Sequence, residues 1–191
     1  MQCAAQTSPD GRTDRLTQWF VMRDLKRCNA KQPAYKQLAE AGFKVFTPMT
    51  QKIVQRGGRT ERCDVPYVSD LLFVCSNRRD LDPIVARTDT LQYRFVKGAP
   101  HCSPLVVADA DMNRFIAAVE LSSAVRYYTP DEITPDMYGR TALIVTDGAL
   151  NGCQCRLLKV RGARKKRVLV ELPGLLTAAL ELSPAYLRLL P

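Results

Sequence analysis

The sequence predicts an α+β fold in two parts, and three observations predict it. From residue 18 to residue 98, apolar runs change period in the order strand–helix–strand–strand–helix–strand. After residue 137 the chain becomes a series of short strand-forming runs separated by glycines. Between the two, "SSAVRYYTPDEITPDM" (122–137) carries prolines and acids and no period, as a linker does.

Residues 1–17 lack periodicity and are rich in Ser, Thr, Gly, Pro and Asp, so they read as a loose tail. Structure begins with "QWFVMR", a short apolar strand from Gln18. A helix follows from about Gln32. Pro33 fits only in a first turn, Ala34, Leu38 and Ala41 recur at helical spacing, and Gly42 suits the position just past the end. "FKVFTPM" is a strand stopped at Pro48. "KIVQRGGRTERCDVPYV" is an exposed hairpin about Gly57-Gly58, with Lys52, Arg56, Arg59 and Arg62 on its arms. The unbroken apolar run "LLFVCS" marks a buried strand. "DLDPIVARTD" is a short helix with Pro83 in its first turn, and "LQYRFVKG" a strand ending at Gly98. Met112, Phe115, Ile116 and Val119 then share one face of a helix over 110–121, capped by Asp109. The order through Gly98 is the split β-α-β, ferredoxin-like plan, which makes 18–121 one domain. In 138–191, "RTALIVTD", "CRLLKV", "RVLVEL" and "LTAALELS" are closely spaced strands, the pattern of a small barrel. Residues 175–190 are read as strand plus turn, although their Leu and Ala content suits a helix as well.

The chain has 191 residues, 46% of them hydrophobic, enough for one large or two small cores. Its formal net charge of +9 points to a polyanionic partner, most often nucleic acid. The charge is organised. Residues 19–62 hold ten Lys or Arg against three acids, 63–136 hold seven against eleven, and 137–191 hold nine against three. Seven cysteines, at 3, 28, 63, 75, 102, 153 and 155, form no Cys-x-x-Cys, and His101 is the single histidine. Neither a metal site nor a disulfide framework is expected. Cys75 and Cys153 read as small core residues. Nor is an enzyme expected. There is one histidine, no clustered carboxylate pair and no phosphate-cradling Gly-x-x-x-x-Gly-Lys loop, while Asp109 and Asp111 fit helix capping better than acid–base work. No cofactor is implied. No apolar run approaches the ~18 residues of a membrane span and no leader pattern opens the chain, so a cytoplasmic protein is expected.

Three stretches carry a family resemblance: the opening "WFVMR", the helix "PLVVADADMNRFI", and "ALIVTDGALNGCQCRLLKV … RVLVELPG", which is similar to a KOW motif. Together they resemble the NusG transcription factors, and among them the RfaH-like and UpxY-like antiterminators, over about Gln18 to Leu190. The resemblance implies a NusG N-terminal domain followed by an SH3-like KOW barrel whose sharp turn uses Gly148 and Gly152. It implies an apolar patch on the clamp region of RNA polymerase, with Trp19, Phe20, Val68, Leu71 and Phe73 as candidates. It implies contact of the non-template DNA strand by Arg23, Lys26, Arg27, Lys31 and Lys36, with Tyr35 as a base-stacking group. The C-terminal domain would recruit a ribosomal protein or a termination factor, and the protein would act as a monomer. The basic turn Arg164-Lys165-Lys166-Arg167 is either a solubilising tip or a nucleic-acid contact. A general elongation factor and a translation-linked RNA binder are the alternatives. The chain departs from the family where Ala149-Leu150 replaces Pro-Phe, Cys155 a glycine, and Ser69-Asp70-Leu71 the usual Pro-Gly-Tyr.

Overall fold

The structure, a computed structural model, describes residues 16–26, 32–99, 103–122, 124–148, 150–159 and 166–190. The chain divides into two units, Met1–Asp109 and Ala110–Pro191.

In the first unit β1 (Gln18–Asp24) is the central strand. It pairs antiparallel with β5 (Leu71–Ser76) on one side. On the other it pairs with β6 (Leu91–Tyr93) near its C-terminal end and with β7 (Val106–Val107) near its start. β2 (Lys44–Phe46) adds to the far edge of β5, giving the order β2-β5-β1-β6. Alternate residues of β1 and β5, Phe20, Met22, Leu72 and Val74, share a core with Ala34 and Leu38 of α1 (Ala34–Glu40) and Leu81 of α2 (Arg78–Arg87). The residues between them on the strands, Trp19, Val21, Leu71 and Phe73, are buried as well. Sheet and helices thus form the mixed, antiparallel α/β unit that the pattern of periods predicts. Phe20 meets Tyr93 edge to face at 5.4 Å, and the Tyr93 hydroxyl donates to Asp82 at 2.7 Å, joining β6 to α2. Burial, followed by that bond, raises the Tyr93 phenol above its ordinary value.

The two arms β3 (Met49–Arg56) and β4 (Arg59–Pro66) pair only with each other. Gly57 and Gly58 both have positive φ, 55° and 78°, the two left-handed positions of a tight hairpin turn. Two sequence readings are corrected here. α2 starts at Arg78 because Asn77 caps it, accepting from the Asp80 N–H at 2.9 Å, so Pro83 lies inside the helix and not in its first turn. β6 stops at Tyr93. The chain then leaves the sheet and returns as β7, held by Arg94 N–H to Val21 O (2.9 Å) and Leu105 N–H to Arg94 O (2.7 Å).

The second unit holds α3 (Asp109–Leu121, from its second residue on) and a six-stranded antiparallel sheet. Its strands are β8 (Val125–Tyr128), β9 (Tyr138–Ile144), β10 (Gln154–Leu158), β11 (Arg167–Leu172), β12 (Leu176–Glu181) and β13 (Leu187–Leu189). Their order is β13-β9-β10-β11-β12-β8. Residues 175–190 form a strand, a 3-10 turn at Pro184–Tyr186 and a second strand, as strand plus turn predicts. The expected linker is not free of structure, since β8 lies within it and pairs with β12. This also bears on the expected barrel. β8 occupies the edge of β12 that a closing strand would need, and no closed barrel is seen among the described residues. Phe115 of α3 packs on Tyr127 of β8 with ring centroids 6.5 Å apart. Leu150, in the turn between β9 and β10, is buried.

This packing sets the stability of each unit. Phe20→Ala should cost about 3–5 kcal/mol, the usual range for a buried aromatic, read as a lowered urea midpoint. Burial pushes the Tyr127 phenol up to about 12 and the Cys155 thiol up to about 11, the latter helped by Cys153. A raised acid favours the fold while it stays neutral. The two contributions are therefore complete below the ordinary values of 9.0 and 10.0 and are lost as pH rises through 11 and 12. The urea midpoint should hold to about pH 9 and then fall; a midpoint unchanged to about pH 12 would contradict this.

Candidate nucleic-acid interface

The end of β1 is fixed by a buried acid. Asp24 is 7% exposed, and its carboxylate accepts from the Ala34 N–H at 2.6 Å and the Lys26 N–H at 3.0 Å. Ala34 is the first residue of α1, where backbone donors lack helical partners. One carboxylate thus satisfies two orphan donors and ties the turn after β1 to the start of the helix. Beyond it, Lys26 Nζ lies 3.4 Å from the Gln32 carbonyl, which also accepts from the Gln37 side chain at 2.7 Å.

Lys26 and Tyr35 line one small cleft with Asp24, Pro33, Ser69 and Leu71, and with Thr47 and Pro66 at the root of the β3–β4 ribbon. Tyr35 is half-buried and packs against the core. Lys36 is exposed on α1. The fold therefore brings together two of the expected nucleic-acid residues, one cation and one aromatic, in the cleft, and leaves Lys36 exposed on α1. Arg23 differs. It is exposed, but its Nε donates to Asp70 at 3.0 Å, and Asp70 also accepts from Arg94 at 3.2 Å. Asp70 is one of the residues that replace the family's Pro-Gly-Tyr, and it draws Arg23 into an ion pair within the unit. Arg27 and Lys31 lie outside the described residues.

The expected apolar patch is not exposed. Trp19, Phe20, Leu71 and Phe73 are all buried, and Val68 alone of the five is half-exposed. The reason lies in β1 and β5, both buried on successive as well as alternate residues. The aromatic at the start of β1 is further held by Lys44, whose Nζ sits 5.2 Å from the Trp19 ring centroid. The exposed apolar side chains of this unit include Phe95 and Val96 on the excursion after β6, and Val106 on β7. Reading 91–98 as one sheet strand hides them, because the alternation of apolar and polar residues continues through Phe95 and breaks only at Val96.

In the second unit the turn from β9 to β10 places one of the two expected glycines, Gly152, in the left-handed region, and Gly148 is not in it. Gly152 has φ 73° and donates to the Ile144 carbonyl at 2.8 Å, while the Gly148 carbonyl accepts from Asn151 at 3.0 Å. Cys155, in the place of a third glycine, is buried and donates to the Ala142 carbonyl at 3.2 Å. Cys75 and Cys153, expected in the core, are only half-buried. Of the basic turn, Lys166 is exposed and Arg167 pairs with Glu181 at 2.9 Å, while Arg164 and Lys165 lie outside the described residues. Among the described residues no cluster of His, Cys, Asp or Glu is arranged to hold a metal, and no helix is long and apolar enough to cross a membrane.

A family model described as "Transcription termination factor nusG" matches residues 17–116, the stretch that carries β1, the cleft and the ribbon. No curated protein matches the chain.

Asp24→Ala should destabilise the protein by about 1–3 kcal/mol, since it leaves one buried and one part-buried backbone donor without their carboxylate acceptor. Hydrogen exchange at the Ala34 amide should accelerate with it. Unchanged exchange there would show that the carboxylate does not fix the start of α1.

Proposed function

Because this chain belongs to the NusG family, we propose that it is a specialised transcription elongation and antitermination factor, a paralogue of the UpxY-like kind. It rides on RNA polymerase in the cytoplasm as a monomer and holds the exposed non-template DNA strand. The observation that carries the DNA contact is the cleft at the end of β1, which Lys26 and Tyr35 both line, with Lys36 exposed on α1. A cation for a phosphate and an aromatic ring for a base to stack on are the minimal equipment for a single strand. Arg23 contributes less, because Asp70 already holds it in an ion pair. With the Trp19 patch buried, the contact to polymerase falls to exposed apolar side chains of the same unit, Phe95, Val96 and Val106.

The second unit serves as the KOW module. Its β9–β10 turn and the buried Leu150 support that reading, and its partner is a ribosomal protein or a termination factor.

In transcription through a pause with purified polymerase, the protein should shorten the pause. An unchanged pause lifetime at saturating protein would overturn the reading. Lys26→Ala with Lys36→Ala should weaken the effect and lower the salt slope of single-strand binding by roughly 0.7 for each phosphate no longer neutralised. Tyr35→Ala should weaken binding at all salt concentrations alike.

A further inference from the structure

The β3–β4 ribbon carries a surface that the single-strand reading does not use. Its register pairs Gln51 with Asp64, Ile53 with Arg62 and Gln55 with Thr60. Directly paired residues project to the same face, and side chains alternate along each strand, so these six share one face. All six are exposed. On the other face Thr50, Val54, Cys63 and Val65 are half-buried, while Lys52, Arg59 and Glu61 are exposed. The ribbon is therefore two-sided, with a backing face and a presenting face. At the centre of the presenting face stands Ile53, at 70% the most exposed large apolar side chain among the described residues.

The composition of that face is unusual for a solvated one. Around the isoleucine it holds two amides, a guanidinium, a hydroxyl and a carboxylate. These are the groups that hydrogen-bond base edges in the major groove: Gln to adenine, Arg to guanine, Thr to either, Asp to cytosine, with an apolar side chain against a thymine methyl. A two-stranded antiparallel ribbon has the width the major groove admits. Each arm has eight residues, about 27 Å of strand, so the whole face can lie along the groove. Lys52, Arg59 and Arg62 outnumber Glu61 and Asp64 on the arms, a net positive charge that favours a polyanion. The two-residue glycine turn fixes the register, so the spacing of the reading groups does not slip.

We propose that the β3–β4 ribbon is a sequence reader for duplex DNA, entering the major groove with Gln51, Ile53, Gln55, Thr60 and Arg62 toward the bases. The occupant is a double helix, not the single strand assigned to the Lys26 cleft, so one protein holds duplex and displaced strand through different elements.

The test is selection of the full-length protein on a random-sequence duplex DNA pool, with a single-stranded pool in parallel. A short motif should be enriched from the duplex pool. Arg62→Gln and Gln55→Ala should each lower affinity for the enriched duplex about tenfold, as removal of one base-reading group does, and relax the motif at the positions they read. Lys52→Gln should weaken enriched and random duplexes equally. All three sites are exposed, and thermal melting should match the parent protein. Enrichment of no motif, enrichment from the single-stranded pool alone, or a motif unchanged in both Arg62→Gln and Gln55→Ala would overturn the proposal. The selection contains no polymerase. A failure of pause suppression with a motif found leaves the ribbon reader standing, and the converse result removes the ribbon reader alone.

Discussion

Strand β1 has water on almost none of its surface, and the rest of the first unit is arranged around that fact. Phe20 and Met22 face the helices, and Trp19 and Val21 are equally buried. A strand buried on both sides must satisfy its backbone on both edges. β5 does so along one edge. The other edge is too long for β6 alone, and β7 completes it after the excursion 94–105. The excursion and its exposed Phe95 and Val96 are thus a consequence of how β1 is covered.

Where β1 leaves the core, two aspartates decide which cations remain available. Asp24 faces inward and commits its charge to backbone donors, so Lys26 and Lys36 keep theirs. Asp70 faces outward and takes Arg23 and Arg94. A count of basic residues along the first helix treats all of them as equal. The structure separates an ion-paired arginine from cations that remain open to phosphate, and the difference comes from an acid 47 positions away in sequence.

What is legible in the sequence is what local chemistry dictates. The paired glycines at 57 and 58 specify a tight turn and the structure has one, with both residues at positive φ. The apolar run 71–76 and the Met112–Phe115 spacing correspond to a strand and a helix. What is not legible depends on partners. β8 resembles linker because "VRYY" is a strand only once β12 offers it an edge. The aromatic start of β1 resembles a contact patch because burial on a second face leaves no mark on a four-residue run. Pro83 suggests a first turn because the capping side chain of Asn77, which outweighs the missing N–H of one proline, lies six positions upstream. The two-faced pattern of the ribbon is present in the residues, but its register, and so which side chains stand together, requires the turn geometry.

The single-strand contact proposed for the first unit depends on the displaced strand lying in the cleft at the end of β1. Photo-crosslinking from position 36, with a photoreactive residue in place of Lys36, in a transcribing polymerase complex with differently labelled DNA strands reads this directly. The expected result is label on the non-template strand, abolished when Lys26 is also replaced by alanine. Label on the template strand, or none on DNA while the protein remains bound to polymerase, would contradict it.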